Sequence, residues 1–282
     1  MLTIKEVLLR TSGFFEEKGI DNPRLNAELL LSHGLGLPSR LDLYLQHDRP
    51  LEERELESIR PLVKRRSKGE PVQYIEGKAN FMGVDFDVDE RVLIPRPETE
   101  ELVSLIEELL EGVKIERILD VGTGSGILAL SMARVFEAAE VLGVDVSPDA
   151  LEVARQNAQK QGLSDRVDFR VSNWYGEVNG QFDLIVSNPP YLTRQELHEA
   201  ASEVRDFEPT QALVSSGEHG EECLFTVMEG AKERLLPGGV LALETGISQK
   251  EILEAKAIEL GYQEYWGEQD LSGRERFFFV RN

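Results

Sequence analysis

The fold class predicted for this chain is α/β, a doubly wound, mostly parallel sheet with a C-terminal antiparallel hairpin, preceded by a small N-terminal helical domain. Three observations predict it. From residue 115 onward, short apolar runs alternate with segments of helical periodicity, the order that builds βαβ units. A glycine-rich turn, Asp120 to Gly126, separates the first run from the helical segment after it. Residues 1–70 show helical spacing alone.

Within that first stretch, Ile4, Val7, Leu8 and Leu9, then Phe14 and Phe15, share a helix face, and Gly19 ends the run. A second helix starts near Asn22-Pro23 and stops at Gly34-Leu35-Gly36. A third spans Leu51 to about Ser67, with Pro61 expected to break or kink it. Residues 1–70 hold no catalytic constellation, so recognition is their expected task. Residues 71–96 read as a β-hairpin linker, with strands at Val72–Gly77 and Phe81–Val88. Residues 97–282 are the ligand-binding domain. It opens on a helix for which Thr99 is the expected N-cap, and Leu102, Leu105, Ile106 and Leu109 supply the buried stripe.

The strands that follow are expected at 115–121, 141–146, 167–171, 182–187 and 240–244, with helices at 127–136, 148–161, 221–236 and about 248–260. Residues 262–266 and 276–280 form the closing hairpin.

Composition narrows the function classes. Hydrophobic content is 41% and charged content 29%, as in a soluble globular protein. No apolar run approaches the roughly 20 residues of a membrane span, and the start lacks a signal-peptide layout; a cytoplasmic location is expected. Cys223 is the single cysteine, which excludes an internal disulfide. A formal net charge of −21 argues against a nucleic-acid partner, which needs a basic footprint. The one basic stretch, Arg60 to Lys68, reads as a solvated helix face, with a docking patch for an acidic partner as the other reading. The histidines (33, 47, 198 and 219) lack metal-ligand spacing, so neither a metal nor a histidine-based triad is expected.

The chemistry concentrates in two motifs. In Asp120-Val121-Gly122-Thr123-Gly124-Ser125-Gly126, the glycines let backbone N–H groups and a helix N-terminus approach a ligand. The spacing departs from a dinucleotide fingerprint, which would place its third glycine at 127. No Gly-Lys-Ser/Thr follows, so this is not a P-loop, and Thr123 and Ile127 rule out a nucleophile elbow at Ser125. Asp120 faces the positive end of a small ligand, and Asp145, ending the second strand, sits where an acid grips ribose hydroxyls. Asn173 and Trp174, after the third strand, are further candidates for lining the cofactor site; ordinary core packing is the competing reading for Trp174.

The second motif is Asn188-Pro189-Pro190-Tyr191. The prolines stop a buried strand at Asn188, at the carboxyl end where open α/β sheets bind ligands. The Asn188 side-chain oxygen and the Pro189 carbonyl together accept two N–H bonds, holding a planar NH2 group while Tyr191 stacks on its face. Asn188 therefore belongs to both the cofactor and the substrate side.

Acid, glycine loop, second-strand acid and Asn-Pro-Pro-Tyr together resemble the S-adenosyl-L-methionine-dependent methyltransferases that act on planar nitrogen, with a Rossmann-like sheet. The whole chain resembles the glutamine N5-methyltransferases of peptide chain release factors, the HemK/PrmC-type family. That resemblance rests on Gly69 to Gly77, Phe81, Ile94-Pro95-Arg96-Pro97-Glu98-Thr99-Glu100, the two motifs, and Phe207-Glu208-Pro209. It implies methyl transfer to the glutamine of a Gly-Gly-Gln loop, modulating translation termination, with S-adenosyl-L-homocysteine as product. It also implies that Phe81, Arg96 and Phe207 line the pocket. An adenine-N6 DNA/RNA methyltransferase is the nearest alternative, since the same motif suits a flipped-out exocyclic amine. A non-catalytic nucleotide-binding scaffold is the other.

Overall fold

The computed structural model describes residues 1–282. They divide into two compact units, one of Met1–Lys78 with Ala201–Phe207, the other of Ala79–Ala200 with Glu208–Asn282.

The first unit is built from α1 (Ile4–Glu17), α2 (Pro23–Gly34), α3 (Arg40–Leu45), α4 (Glu53–Arg66) and α5 (Val72–Glu76). Thr3 and Glu6 close a capping box at the start of α1. Ile4, Leu8, Phe15, Leu30, Leu31, Leu43 and Ile59 form one core. Two expectations fail here. Helix α4 runs through Pro61 without a break; Pro61 is exposed, so the carbonyl it leaves unpaired faces water. Val72–Glu76 is helix, not strand. Pro71 precedes it, Gly77 ends it with φ 72°, and the adjacent Tyr74 and Ile75 are both buried, which a half-buried strand does not allow.

The second unit opens with a hairpin, β1 (Lys78–Phe81) and β2 (Val84–Asp87), then α6 (Pro97–Leu109). Met82 and Gly83 turn the hairpin with φ of 48° and 77°, as a two-residue turn matched to strand twist requires. The hairpin packs Phe81 and Phe86 edge to face, 6.1 Å apart, into this unit's core instead of serving as a linker. The alternating part follows as β3 (Arg117–Val121), α7 (Ile127–Val135), β4 (Glu140–Asp145), α8 (Pro148–Lys160), β5 (Val167–Val171) and β6 (Phe182–Ser187). Three short helices come next, α9 (Arg194–Glu199), α10 (Ser202–Phe207) and α11 (Thr210–Leu213). The chain finishes with α12 (Glu222–Arg234), β7 (Leu235–Glu244), α13 (Lys250–Glu259), β8 (Glu264–Gln269) and β9 (Glu275–Arg281).

The sheet order is β5-β4-β3-β6-β7-β9-β8. Pairing is parallel from β5 to β7, and β9 is antiparallel to both β7 and β8. Side chains alternate across it: Ile118, Leu184, Val240 and Phe279 join the core on the α6–α8 face, while Leu119, Ile185, Leu241 and Phe278 join the α12–α13 face. The strand order reverses between β3 and β6, so both motifs leave the sheet at its switch point, on the same edge.

Helix α10 belongs to the first unit although it lies between α9 and α11 in sequence. There Arg66 is buried and donates to Asn26 Oδ1 (2.7 Å) and the Glu70 carbonyl (2.9 Å), and pairs with Glu203 at 2.8 Å. Part of the basic stretch is thus internal. Arg60 pairs with Glu53 on the surface, and Arg65 with Glu70.

Candidate active site

A cavity of ≈ 380 Å³ opens at the carboxyl ends of β3, β4 and β6. Its wall is the glycine loop. Gly122, Gly124 and Gly126 all hold positive φ, at 76°, 54° and 81°. At Gly126 a Cβ would also stand 3.1 Å from the Ala154 side chain and from the Phe169 ring, so the loop can close onto α8 only without a side chain there. Gly122 and Thr123 N–H both donate to the Val144 carbonyl, at 2.8 and 2.9 Å, which fixes the loop over β4.

Behind the loop lies Asn157 of α8, wholly buried. It donates to the Ser125 carbonyl (2.9 Å) and the Asp87 carbonyl (3.1 Å), and accepts from Asp87 N–H at 2.7 Å. The hairpin therefore buttresses the glycine loop through one side chain.

Asp120 is fully buried beside the cavity. One oxygen accepts from Thr123 Oγ1 (2.6 Å) and Ala129 N–H (2.9 Å). The other, Oδ1, has no donor. Burial, against those two hydrogen bonds and with Asp145 adding to it, pushes the carboxyl up to about 7. A buried acceptor with no donor costs about 1–3 kcal/mol unless a ligand supplies one, and an ammonium group is the complement. Asp145 accepts from Gly124 N–H and Ser147 N–H, each at 2.9 Å, and keeps lone pairs for hydroxyls; burial raises its carboxyl. Thr123, Ser125, Asn173 and Trp174 complete the lining on this side, Trp174 with φ 51°. These residues fit a nucleoside joined to an amino-acid end, anionic sites under the cation and hydroxyls.

On the acceptor side, Asn188 and Pro190 line the cavity, whereas Pro189 is buried outside the lining. Asn188 Nδ2 donates to Thr99 Oγ1 at 3.3 Å, and Thr99 Oγ1 donates to Glu244 Oε2 at 2.6 Å. Tyr191 departs from its expected place. Its ring lies outside the lining, against the guanidinium of Arg276 (5.3 Å), and its hydroxyl donates to Glu244 Oε1 at 3.1 Å while accepting from Arg276 at 3.2 Å. Burial, with Glu244 alongside, raises the phenol well above its usual range, so it stays protonated. The ring cannot stack on a bound amide from there.

The pocket assignments made by resemblance divide. Arg96 lines the cavity, held by Glu208 Oε1 at 2.6 Å, while Glu208 Oε2 takes the Ile94 N–H at 3.2 Å. Phe81 is core, 1% exposed under Phe86. Phe207 falls in the first unit, facing Gly69. Thr99 is not an N-cap: Arg96 caps α6 and Pro97 fills its first turn, leaving Thr99 inside the helix to face Glu244. Glu208 enters the sequence reading only through the resemblance, with no role assigned, and Glu244 and Arg276 have no site role there. A buried Glu closing an apolar strand was the one signal present for Glu244.

Similarity to known proteins agrees with this geometry. Residues 6–77 match the PrmC N-terminal domain and residues 99–220 the methyltransferase small domain. A release factor glutamine methyltransferase of Chlorobaculum tepidum is 47% identical over 252 residues, spanning 86% of this chain and 85% of that one. Another, from Geobacter sulfurreducens, is 41% identical and covers 97% of this chain and 95% of its own. Among solved structures, a methyltransferase from Pyrococcus furiosus superposes with a TM-score of 0.54 at 24% identity, over 71% of this chain and 89% of that chain, a likeness of fold.

Proposed function

The chain belongs to the release factor glutamine methyltransferase family, and from that premise we propose that it transfers a methyl group from S-adenosyl-L-methionine to the side-chain amide nitrogen of the glutamine in the Gly-Gly-Gln loop of peptide chain release factors. The observation that carries this reading is Asn188, a carboxamide at the end of β6, in the same cavity as the orphaned carboxylate oxygen of Asp120.

When bound, the cofactor supplies an electrophilic methyl on a sulfonium. Asp120 Oδ1 would hold its ammonium end, Asp145 its ribose hydroxyls, and Asn173 and Trp174 would border the base. An amide nitrogen is a poor nucleophile because its lone pair is delocalised into the carbonyl. Asn188 Oδ1 accepts an N–H bond from the amide, which aims the nitrogen and stabilises the positive charge that appears on it; Pro189, outside the lining, is left without the direct role first expected of its carbonyl. Positioning carries the rate, and the proton leaves after the methyl has arrived, so no strong base is needed. Pro190 narrows the acceptor end, and Arg96 borders the cavity from the α6 side. No helix is long and apolar enough to cross a membrane.

The test is transfer of a labelled methyl to purified release factor, with a Gly-Gly-Asn form as control. Label on the first alone is expected, and Asn188→Ala should lower turnover by ~10²-fold or more, as loss of one transition-state hydrogen bond does. Label on DNA or RNA in place of the release factor would overturn the substrate. Near-normal turnover by Asn188→Ala would overturn the residue's role.

A further inference from the structure

A carboxamide carries a donor and an acceptor on the same carbon, and only the acceptor can serve a substrate N–H. Turned by half a rotation, Asn188 would present its own NH2 to the substrate NH2, and the site would repel what it must hold. Its surroundings remove that freedom. Ionised Glu244 can only accept, and its Oε2 takes the Thr99 hydroxyl proton at 2.6 Å. A hydroxyl has one proton, so Thr99 Oγ1 is then restricted to accepting, and what it accepts is Asn188 Nδ2–H at 3.3 Å. The nitrogen is thereby turned away and Oδ1 is the atom left for the ligand.

The far end of this chain of bonds is anchored as well. Glu244 is wholly buried, which raises its carboxyl. The Tyr191 hydroxyl at 3.1 Å and the Arg276 guanidinium at 4.0 Å oppose that rise. Replacing a buried charged group by an apolar residue of similar volume is often neutral or stabilising, so packing alone gives no account of this arrangement.

We propose that Thr99 and Glu244 are positioning residues of the methyl transfer, which lock the Asn188 carboxamide with its oxygen toward the cavity. Glu244 lies behind the cavity wall and Thr99 borders the cavity beside Asn188; both are assigned to act through Asn188. This rests on the reading of Asn188 as the group that holds the substrate amide, and the two can be separated by experiment.

Turnover number, KM for release factor and cofactor Kd are measured for the full-length protein and for Thr99→Val, Thr99→Ser, Glu244→Gln and Asn188→Ala. Thr99→Val keeps the shape and removes the hydroxyl; kcat should fall by ~10²-fold, the cost of a misaimed reactant, with KM and cofactor Kd within about twofold. Thr99→Ser restores the hydroxyl and should recover kcat to within about threefold. Glu244→Gln can offer Thr99 a proton as readily as accept one, and should lose about tenfold, roughly one hydrogen bond. Near-normal kcat in Thr99→Val beside an inactive Asn188→Ala would overturn the lock and leave the parent reading standing. Equal losses in Thr99→Val and Thr99→Ser would also overturn it, since packing and not the hydroxyl would then matter. Should Thr99→Val fail to fold, an undiminished kcat in Glu244→Gln overturns it alone. Full activity in Asn188→Ala would instead bring down the parent reading.

Discussion

Asp120 and Glu244 are both carboxylates with 0% exposure at the ends of strands in one sheet, yet they are wired in opposite ways. Asp120 finds its partners nearby, at Thr123 and Ala129, and leaves one oxygen without a donor. Glu244 draws its partners from Thr99, Tyr191 and Arg276, and both its oxygens are taken. An acid with an acceptor in reserve is built for a ligand. One whose oxygens are both claimed by the protein is built to hold a neighbour. The β3–β4 side of the cavity is thus a binding surface made by a continuous motif, and the β6–β7 side a framework assembled across the chain.

The hardest blow to that contrast should come from Asn157→Ala, because it removes the distant support on which the local loop depends. Asp87 N–H, the Asp87 carbonyl and the Ser125 carbonyl would lose their partner together. A stability loss of ~2–4 kcal/mol is expected, from buried groups left unpaired, read as a lower midpoint in chemical denaturation. A loss under half of one kcal/mol would mean the glycine loop stands by itself.

Asp120→Asn probes the binding side directly. Cofactor affinity should drop ~10–10²-fold, equivalent to a charged hydrogen bond of ~1.5–3 kcal/mol. The pH dependence sharpens the test. The folded, cofactor-free protein holds the Asp120 proton up to about 7, whereas an unfolded chain releases it near ~3.9. Between those values the folded state binds more protons, so this residue's contribution to stability declines as pH rises through the window. Cofactor binding needs the ionised form, so affinity should increase toward about pH 7, while an α-amino group stays protonated, and then level off. Calorimetric Kd values that fall equally over this range in Asp120→Asn would assign the dependence elsewhere.

The smallest effect is expected on the framework side. Tyr191→Phe keeps the ring and removes the hydroxyl that bridges Glu244 and Arg276. Turnover should decline several-fold, within the ~0.5–1.5 kcal/mol of one hydrogen bond, at unchanged cofactor Kd. An unaltered kcat would mean that the Tyr191 hydroxyl contributes nothing to the framework behind Asn188.

The same contrast separates what the sequence discloses from what it conceals. The glycine loop, Asp145 and Asn188 were legible because each motif is contiguous and its backbone constraints are local, as are the βα alternation and the strand that two prolines cut at 188. Thr99 was misread as a cap because helix-start chemistry near Pro97 is satisfied equally well by either reading until Glu244 is seen facing it. Apart from its place at the end of an apolar strand, Glu244 carries no local signature, and Arg276 carries none; their partners lie far off along the chain. Pro61 and the Val72–Glu76 turn show the converse failure. A local rule was applied where exposure, in one case, and burial of two adjacent side chains, in the other, decided the conformation.

Helix α10 has a consequence for any attempt to take the protein apart. Because Ala201–Phe207 is grouped with the first 78 residues, neither unit is one unbroken stretch of chain, and no single proteolytic nick or gene truncation releases them intact. Deleting only the first 78 residues would strip Glu203 of Arg66 and leave the other seven residues of the first unit without their core, just before Pro209, Gln211 and Ala212, which line the cavity. The two units are therefore interleaved along the chain, and neither can be exchanged as one continuous segment.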